Sequence, residues 1–243
     1  MPAFLLSLTL YAFPPVLMYH RVDIAVPRAS QSRDLTITPE TLDAQLRYLR
    51  AHGFTPISMA DYERRVRLKE PTDRDVIVTF DDGYADQYTY AFPVLVHDGA
   101  DATFYVVTRS VGQTAHVTWP ELQAMLRTRM DIEAHGETHD DLAAMNERAQ
   151  RAEIDGSIAD LKARLGLRAV SSYAYPSGEF NVETLRLERA AGIPIAVTTD
   201  PRNVIRPQDA LQVVRIRVRR AWSLDDFARA LRRALMRPQV LSR

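Results

Sequence analysis

Seven short apolar runs, each followed by a longer stretch with helical spacing, constrain this chain more than any other feature of it. The runs occupy 15–20 (PVLMYH), 75–80 (DVIVTF), 102–107 (ATFYVV), 131–134 (DIEA), 170–175 (VSSYAY), 193–199 (IPIAVTT) and 211–218 (LQVVRIRV). Most are apolar on both faces rather than alternating, the pattern of parallel strands covered by helices. Helices are expected near 39–52, 58–68, 86–97, 120–128, 144–165, 182–191 and 223–236. Thr38-Pro39-Glu40, Trp119-Pro120-Glu121, and Ser223 ahead of Asp225 and Asp226 mark three of the starts. Seven strand–helix units within 243 residues predict one α/β domain over 1–243, a complete or incomplete barrel, with a doubly wound sheet as the alternative.

Composition narrows the function classes. Lys plus Arg equal Asp plus Glu at 31 each, so no net field directs the chain to nucleic acid. Arginine supplies 29 of the 31 basic residues. Arg215, Arg217 and Arg219 share one strand parity, while Arg229, Arg232 and Arg233 read as a solvated helix face, a polyanion-binding edge being the alternative. The absence of cysteine excludes disulfides, thiolate nucleophiles and Cys-ligated zinc. Residues 1–13 (MPAFLLSLTLYAF) are apolar but too short to span a bilayer as a helix, and they lack a basic leader region. They read as a first strand or packed arm, or as the remnant of a signal or anchor.

Chemistry in barrels gathers at the C-terminal ends of the strands. His20 ends the first run, Asp81 and Asp82 the second, and His135 follows DIEA. Tyr175-Pro176 follows VSSYA, and Arg215 lies in the last run. His135 and His139 are four apart, and on a helical turn their rings would share one face. Two histidines and one carboxylate, with positions open to water, suit a catalytic divalent metal rather than a closed structural site. Adjacent carboxylates repel, so one aspartate binding the ion while the other stays ionised beside it would resolve the Asp81-Asp82 pair. A plain Asp-Gly turn fits less well, because a helix rather than a returning strand follows.

The segments TFDDGY (79–84), HGETHDDL (135–142) and YAYPSGEFN (173–181) resemble, in order and spacing, the motifs of the polysaccharide deacetylases, carbohydrate esterase family four or the NodB homology domain. The likeness extends over most of the chain and is greatest for the branch that deacetylates poly-β-1,6-N-acetylglucosamine. The resemblance implies a single distorted (β/α) barrel with about seven parallel strands. It implies Asp81 as general base and Asp82, His135 and His139 as ligands of a divalent ion, zinc first, with Co2+, Ni2+ or Fe2+ as alternatives. That branch has a permuted motif order, which makes His20 the acid for the leaving amine. Two positions depart from the family pattern. Ala174 stands where an arginine usually holds the base, leaving Arg215 as the candidate substitute. Ser177 stands where tyrosine is common, with its backbone N–H retained for an oxyanion next to Tyr175 and Pro176.

The expected activity is N-deacetylation of a glycan polymer or oligomer containing N-acetylglucosamine, with acetate released. Such a polymer implies an extracytoplasmic site of action in the periplasm or at the cell surface, although the weak N-terminal signal leaves the cytoplasm open. A small-molecule amidohydrolase or esterase, or a glycan-binding domain without catalysis, are the alternatives. Trp119 is a candidate sugar platform or a packing residue at a helix entry. His52 and His97 precede glycines at helix ends and read as structural. His116 lies in a loop and carries no assignment.

Overall fold

A computed structural model describes residues 11–26, 28–205 and 208–241. Its barrel strands are β1 (Val16–Tyr19), β2 (Thr55–Ile57), β3 (Asp75–Phe80), β4 (Ala102–Val106), β5 (Met130–Ala134), β6 (Ser172–Ala174), β7 (Ile195–Thr198), β8 (Val213–Val214) and β9 (Ile216–Arg217). All their pairings are parallel, in the spatial order β8-β7-β6-β5-β4-β3-β1-β9. β8 and β9 are halves of one strand broken at Arg215. The first half bonds to β7 and the second to β1, so that strand brings the two edges of the sheet together.

β2 was not expected from the sequence, because its Pro56 reads as a breaker. It is a short wedge beside the N-terminal half of β3, and Asp101 N–H donates to the Pro56 carbonyl at 3.4 Å. The result is a nearly closed barrel of eight parallel strands, one more than the apolar runs predict.

Among the described residues, seven helices of seven or more residues wrap it: α1 (Pro39–Ala51), α2 (Met59–Leu68), α3 (Phe92–Asp98), α4 (Trp119–Leu126), α5 (Glu147–Leu165), α6 (Val182–Ala191) and α7 (Leu224–Met236). Local chemistry sets their ends. Thr38, Ser58, Thr118, Asn146, Asn181 and Ser223 each accept a backbone N–H at a helix start, and Glu121 and Asp226 complete capping boxes. Losing one such cap costs about 1 kcal/mol. Outside the strands, a shell of aliphatic and aromatic side chains fills the space under the helices. Tyr19, Phe80 and Phe104 stack there at centroid separations of 5.1 and 4.8 Å.

The barrel interior is divided by polarity. Its lower part is apolar, with Val16, Ile57, Ile77, Ile195, Val197 and Val213 closed off below by Phe13, Tyr62 and Leu241. Tyr11–Phe13 pairs antiparallel with Gln239–Leu241 as a two-stranded ribbon. The rest of the expected arm or signal, residues 1–10, lies outside the described residues. Toward the C-terminal strand ends the interior turns polar, with Thr79, Asp81, Glu133 and Arg215 all buried. Among the described residues no helix is long and apolar enough to cross a membrane.

Candidate active site

β3 delivers the two aspartates, and the turn after it separates them. Asp82 has φ +75° and Gly83 φ +71°, so the chain reverses hand directly after Asp81 and the two carboxylates meet different neighbours. Asp81 faces the barrel interior. Arg215 Nη1 and Nη2 donate to its two oxygens at 2.6 Å each, and Nη1 also reaches Thr79 Oγ1 at 3.1 Å. The guanidinium lies over the Tyr105 ring at 5.6 Å. Burial alone would raise the Asp81 carboxyl; the Arg215 fork, with His135 and His20, outweighs it and holds Asp81 below the usual carboxylate range.

Asp82 meets the histidines. His135 Nε2 and His139 Nε2 each lie 3.3 Å from its Oδ1. Burial would raise this carboxyl too, and the two imidazoles hold it well below the ordinary value. His139 is raised in turn, chiefly by its contact with Asp82. The expected helical turn is absent: residues 135–141 form a loop in which Gly136 (φ +77°) and His139 (φ +72°) adopt left-handed backbone. Glu153 on α5 organises that loop, accepting Glu137 N–H, Thr138 N–H and Thr138 Oγ–H at 2.9 Å each. A Cβ on Gly136 would sit 3.1 Å from Glu153 Oε2 and 3.3 Å from the Tyr173 hydroxyl, so the loop requires glycine there.

The donor set fits a cation. His135 Nδ1 lies 2.7 Å from the Ala174 carbonyl, which needs a proton on that nitrogen. In neutral His135 that leaves the bare Nε2 lone pair 3.3 Å from a carboxylate oxygen, itself buried without a hydrogen-bond partner. Two acceptors so close call for a proton or a metal ion between them. The three candidate ligand atoms of Asp82, His135 and His139 lie within 4.8 Å of one another.

His20, at the end of β1, brings Nε2 to 4.0 Å from Asp81 Oδ2. Burial lowers its basicity more than the neighbouring aspartates raise it. Residues just after the Asp-Asp turn hold this segment in place. Gln87 opens a π-helical turn (Gln87–Ala91), and its amide N–H2 group bridges the backbone carbonyls of His20 and Asp81. Asp86 binds Arg21 Nε at 2.7 Å and Val22 N–H at 3.1 Å.

His20, Arg21, Asp81, Asp82, His135 and His139 line a cleft of about 380 Å³, whose wall also includes Tyr84, Ser177, Thr199, Ser32 and Arg217. Ser177 enters it with φ +57°. Pro176 is buried beneath, at 3.4 Å from the position of a Gly136 Cβ. Tyr175 borders the cleft, but its hydroxyl donates to the Leu211 carbonyl at 2.9 Å and is unavailable to a ligand. Trp119 is not in this wall. It is the first residue of α4, packed on the outer shell with Arg164 over its ring at 6.0 Å, because its cap places it at a helix start. His116 stacks on Tyr84 at 5.4 Å, while His52 and His97 sit at the C-terminal ends of α1 and α3. Gln87, Glu153 and Tyr84 carried no assignment from the sequence. A buried acid inside the α5 pattern was the only signal for Glu153, and nothing marked the π-turn of Gln87.

A buried aspartate forked by arginine, beside an Asp-His-His set at the mouth of a parallel barrel, has the composition of a metal-assisted hydrolytic site. The family described as polysaccharide deacetylase matches residues 68–196, and the chain belongs to it. YxkH of Bacillus subtilis is 29% identical over 88% of this chain and 74% of its own length. A poly-β-1,6-N-acetyl-D-glucosamine N-deacetylase of Staphylococcus epidermidis is 24% identical over 83% of this chain and 78% of its own. The solved structure of the Streptococcus pyogenes deacetylase PplD, in complex with acetate, superposes with a TM-score of 0.80 at 26% identity. That match covers 92% of this chain and 99% of the other.

Proposed function

We propose that the chain hydrolyses N-acetyl groups on a polysaccharide containing N-acetylglucosamine, using a divalent ion held by Asp82, His135 and His139. The observation that carries this reading is the contact of both imidazole Nε2 atoms, at 3.3 Å, with one buried Asp82 oxygen, beside a second aspartate kept ionised by Arg215. A bound divalent ion, zinc first, would supply Lewis-acid polarisation of the acetyl carbonyl and acidify a water.

The chain's own groups do the rest. Asp81, ionised and fixed by two hydrogen bonds, accepts the proton of the attacking water. The backbone N–H of Ser177 helps hold the oxyanion. His20, protonated, donates from Nε2 to the departing amine, leaving acetate and a free amino sugar. Gln87 keeps His20 and Asp81 in register by tying their backbones together. The Staphylococcus relative, a poly-β-1,6-N-acetyl-D-glucosamine N-deacetylase, supports an N-acetylglucosamine-containing polymer as substrate and, with it, a reaction outside the cytoplasm.

Acetate release from β-1,6- and β-1,4-linked N-acetylglucosamine oligomers, with and without chelator, tests the reading. Chelator-sensitive release is expected. Binding without any release would favour a glycan-binding domain, and release confined to small acyl esters or amides would favour the small-substrate hydrolase.

A further inference from the structure

Arg215, Arg217 and Arg219 alternate along the closing strand, and two of the three have an acidic partner within the protein. Arg215 is forked on Asp81, and Arg219 Nη1 binds Asp34 Oδ2 at 2.9 Å. The side chain of Arg217, between them, makes no ion pair or hydrogen bond among the described residues, yet it lines the cleft and is only partly exposed. Asp200, whose carboxyl Arg217 helps to lower, is itself engaged by the Arg202 guanidinium and the Arg202 backbone N–H. The cleft's other arginine, Arg21, is bound by Asp86 and covers Tyr84 at 4.7 Å. Among the described residues, Arg217 is therefore the arginine of the cleft whose side chain has no partner of its own.

Its position is that of a substrate contact. Arg217 pairs with Met18 on β1, two residues before His20. At about 3.3 Å per residue this puts its backbone roughly 7 Å along the sheet from the group that faces the scissile bond in the proposed reaction. From there a guanidinium that lines the cleft can meet a substituent on the reacting sugar or its neighbour. A guanidinium offers a planar fork of donors that suits carboxylate or phosphate, and a half-buried one gains more from such a partner than a solvated one does.

We propose that Arg217 reads an oxyanion substituent, carboxylate or phosphate, next to the acetamide, so that the preferred substrate is an acidic N-acetylated glycan rather than a neutral one. The inference rests on the deacetylase reading above.

Three tetrasaccharides separate the possibilities: a neutral N-acetylglucosamine oligomer, one alternating with glucuronic acid, and a 6-O-phosphorylated oligomer. Calorimetric binding in the presence of chelator, where turnover is suppressed, is compared with acetate release by the metal-supplemented protein. Wild type should bind at least one acidic oligomer about tenfold or more tighter than the neutral one at low salt, with the gap narrowing as salt rises. The better of the two acidic probes identifies the oxyanion. Arg217→Gln should erase the gap, Arg217→Glu should invert it, and Arg217→Lys should restore part of it. Equal wild-type affinities overturn the inference. So does a loss in Arg217→Gln that is proportional across all three oligomers, since that would reflect Arg217 acting through the nearby His20. If the binding gap holds but no oligomer releases acetate, the deacetylase reading falls and the anion site stands.

Discussion

Arg215 and Asp81 lie 134 residues apart and meet through two hydrogen bonds of 2.6 Å inside the barrel. The strand that closes the barrel thus also neutralises the aspartate at the end of β3. Removing the guanidinium strands a buried carboxylate, so Arg215→Ala should cost about 3–5 kcal/mol in urea unfolding. Arg215→Lys keeps the charge but loses the fork. It should fold, with the acid limb of its rate profile displaced to higher pH as Asp81 becomes easier to protonate. An unshifted acid limb in Arg215→Lys would show that Asp81 owes its ionisation to something else.

Glu153 contacts none of the candidate ligands, but it accepts three hydrogen bonds from the loop that carries two of them. Glu153→Ala leaves two backbone N–H groups without their acceptor, at about 1–3 kcal/mol each. We expect a lower Tm and at least tenfold weaker divalent-ion binding, an effect of the size seen for groups that orient metal ligands. A destabilised variant with unchanged ion affinity would reduce Glu153 to a purely structural role.

Much of this was legible in the sequence. The buried β3 run, the helix caps at Thr38 and Ser223, and the parity of the closing-strand arginines all follow from local chemistry that a linear reading can detect. What was hidden depends on contacts across the chain. Pro56 concealed β2, since a short wedge strand can tolerate one missing N–H. The HxxxH spacing suggested a helix, whereas left-handed backbone at Gly136 and His139 presents the same rings from a loop. Trp119 could be a sugar platform or a packing residue at a helix entry, and only the fold shows it at the start of α4 on the outer shell. Gln87 and Glu153 sit in ordinary helical patterns, and only the fold reveals what they hold.

Glu133 gives the fold a pH signature separate from the cleft. It accepts Ser171 N–H, Ser171 Oγ–H and Ser172 N–H, yet burial pushes its carboxyl up to about 8. A folded value above the unfolded one means stability that is full below about pH 4.5 and is lost as pH rises toward 8. Glu133→Gln cannot ionise. Its stability relative to wild type should therefore climb between pH 5 and 8.5, by up to about 1.4 kcal/mol per pH unit. A flat difference across that window would contradict the assignment.

His20 divides amide from ester chemistry. An amine leaves poorly without a proton, whereas an activated aryl acetate needs none. His20→Ala should lose on the order of 10²–10⁴ in deacetylation rate while largely keeping aryl-acetate hydrolysis and bound metal. Equal losses on both substrates would assign His20 a structural role.

The twin aspartates offer the most direct test of the account, because the two neighbours are given opposite duties. Elemental analysis and acetate release are measured together on Asp81→Asn and Asp82→Asn. Asp81→Asn should retain about one divalent ion per chain, as expected of a single three-ligand site, while its rate falls on the order of 10²–10⁴. Asp82→Asn should lose ion and activity together. Metal retained in Asp82→Asn, or lost alike from both variants, would contradict the division of labour on which the proposed mechanism stands.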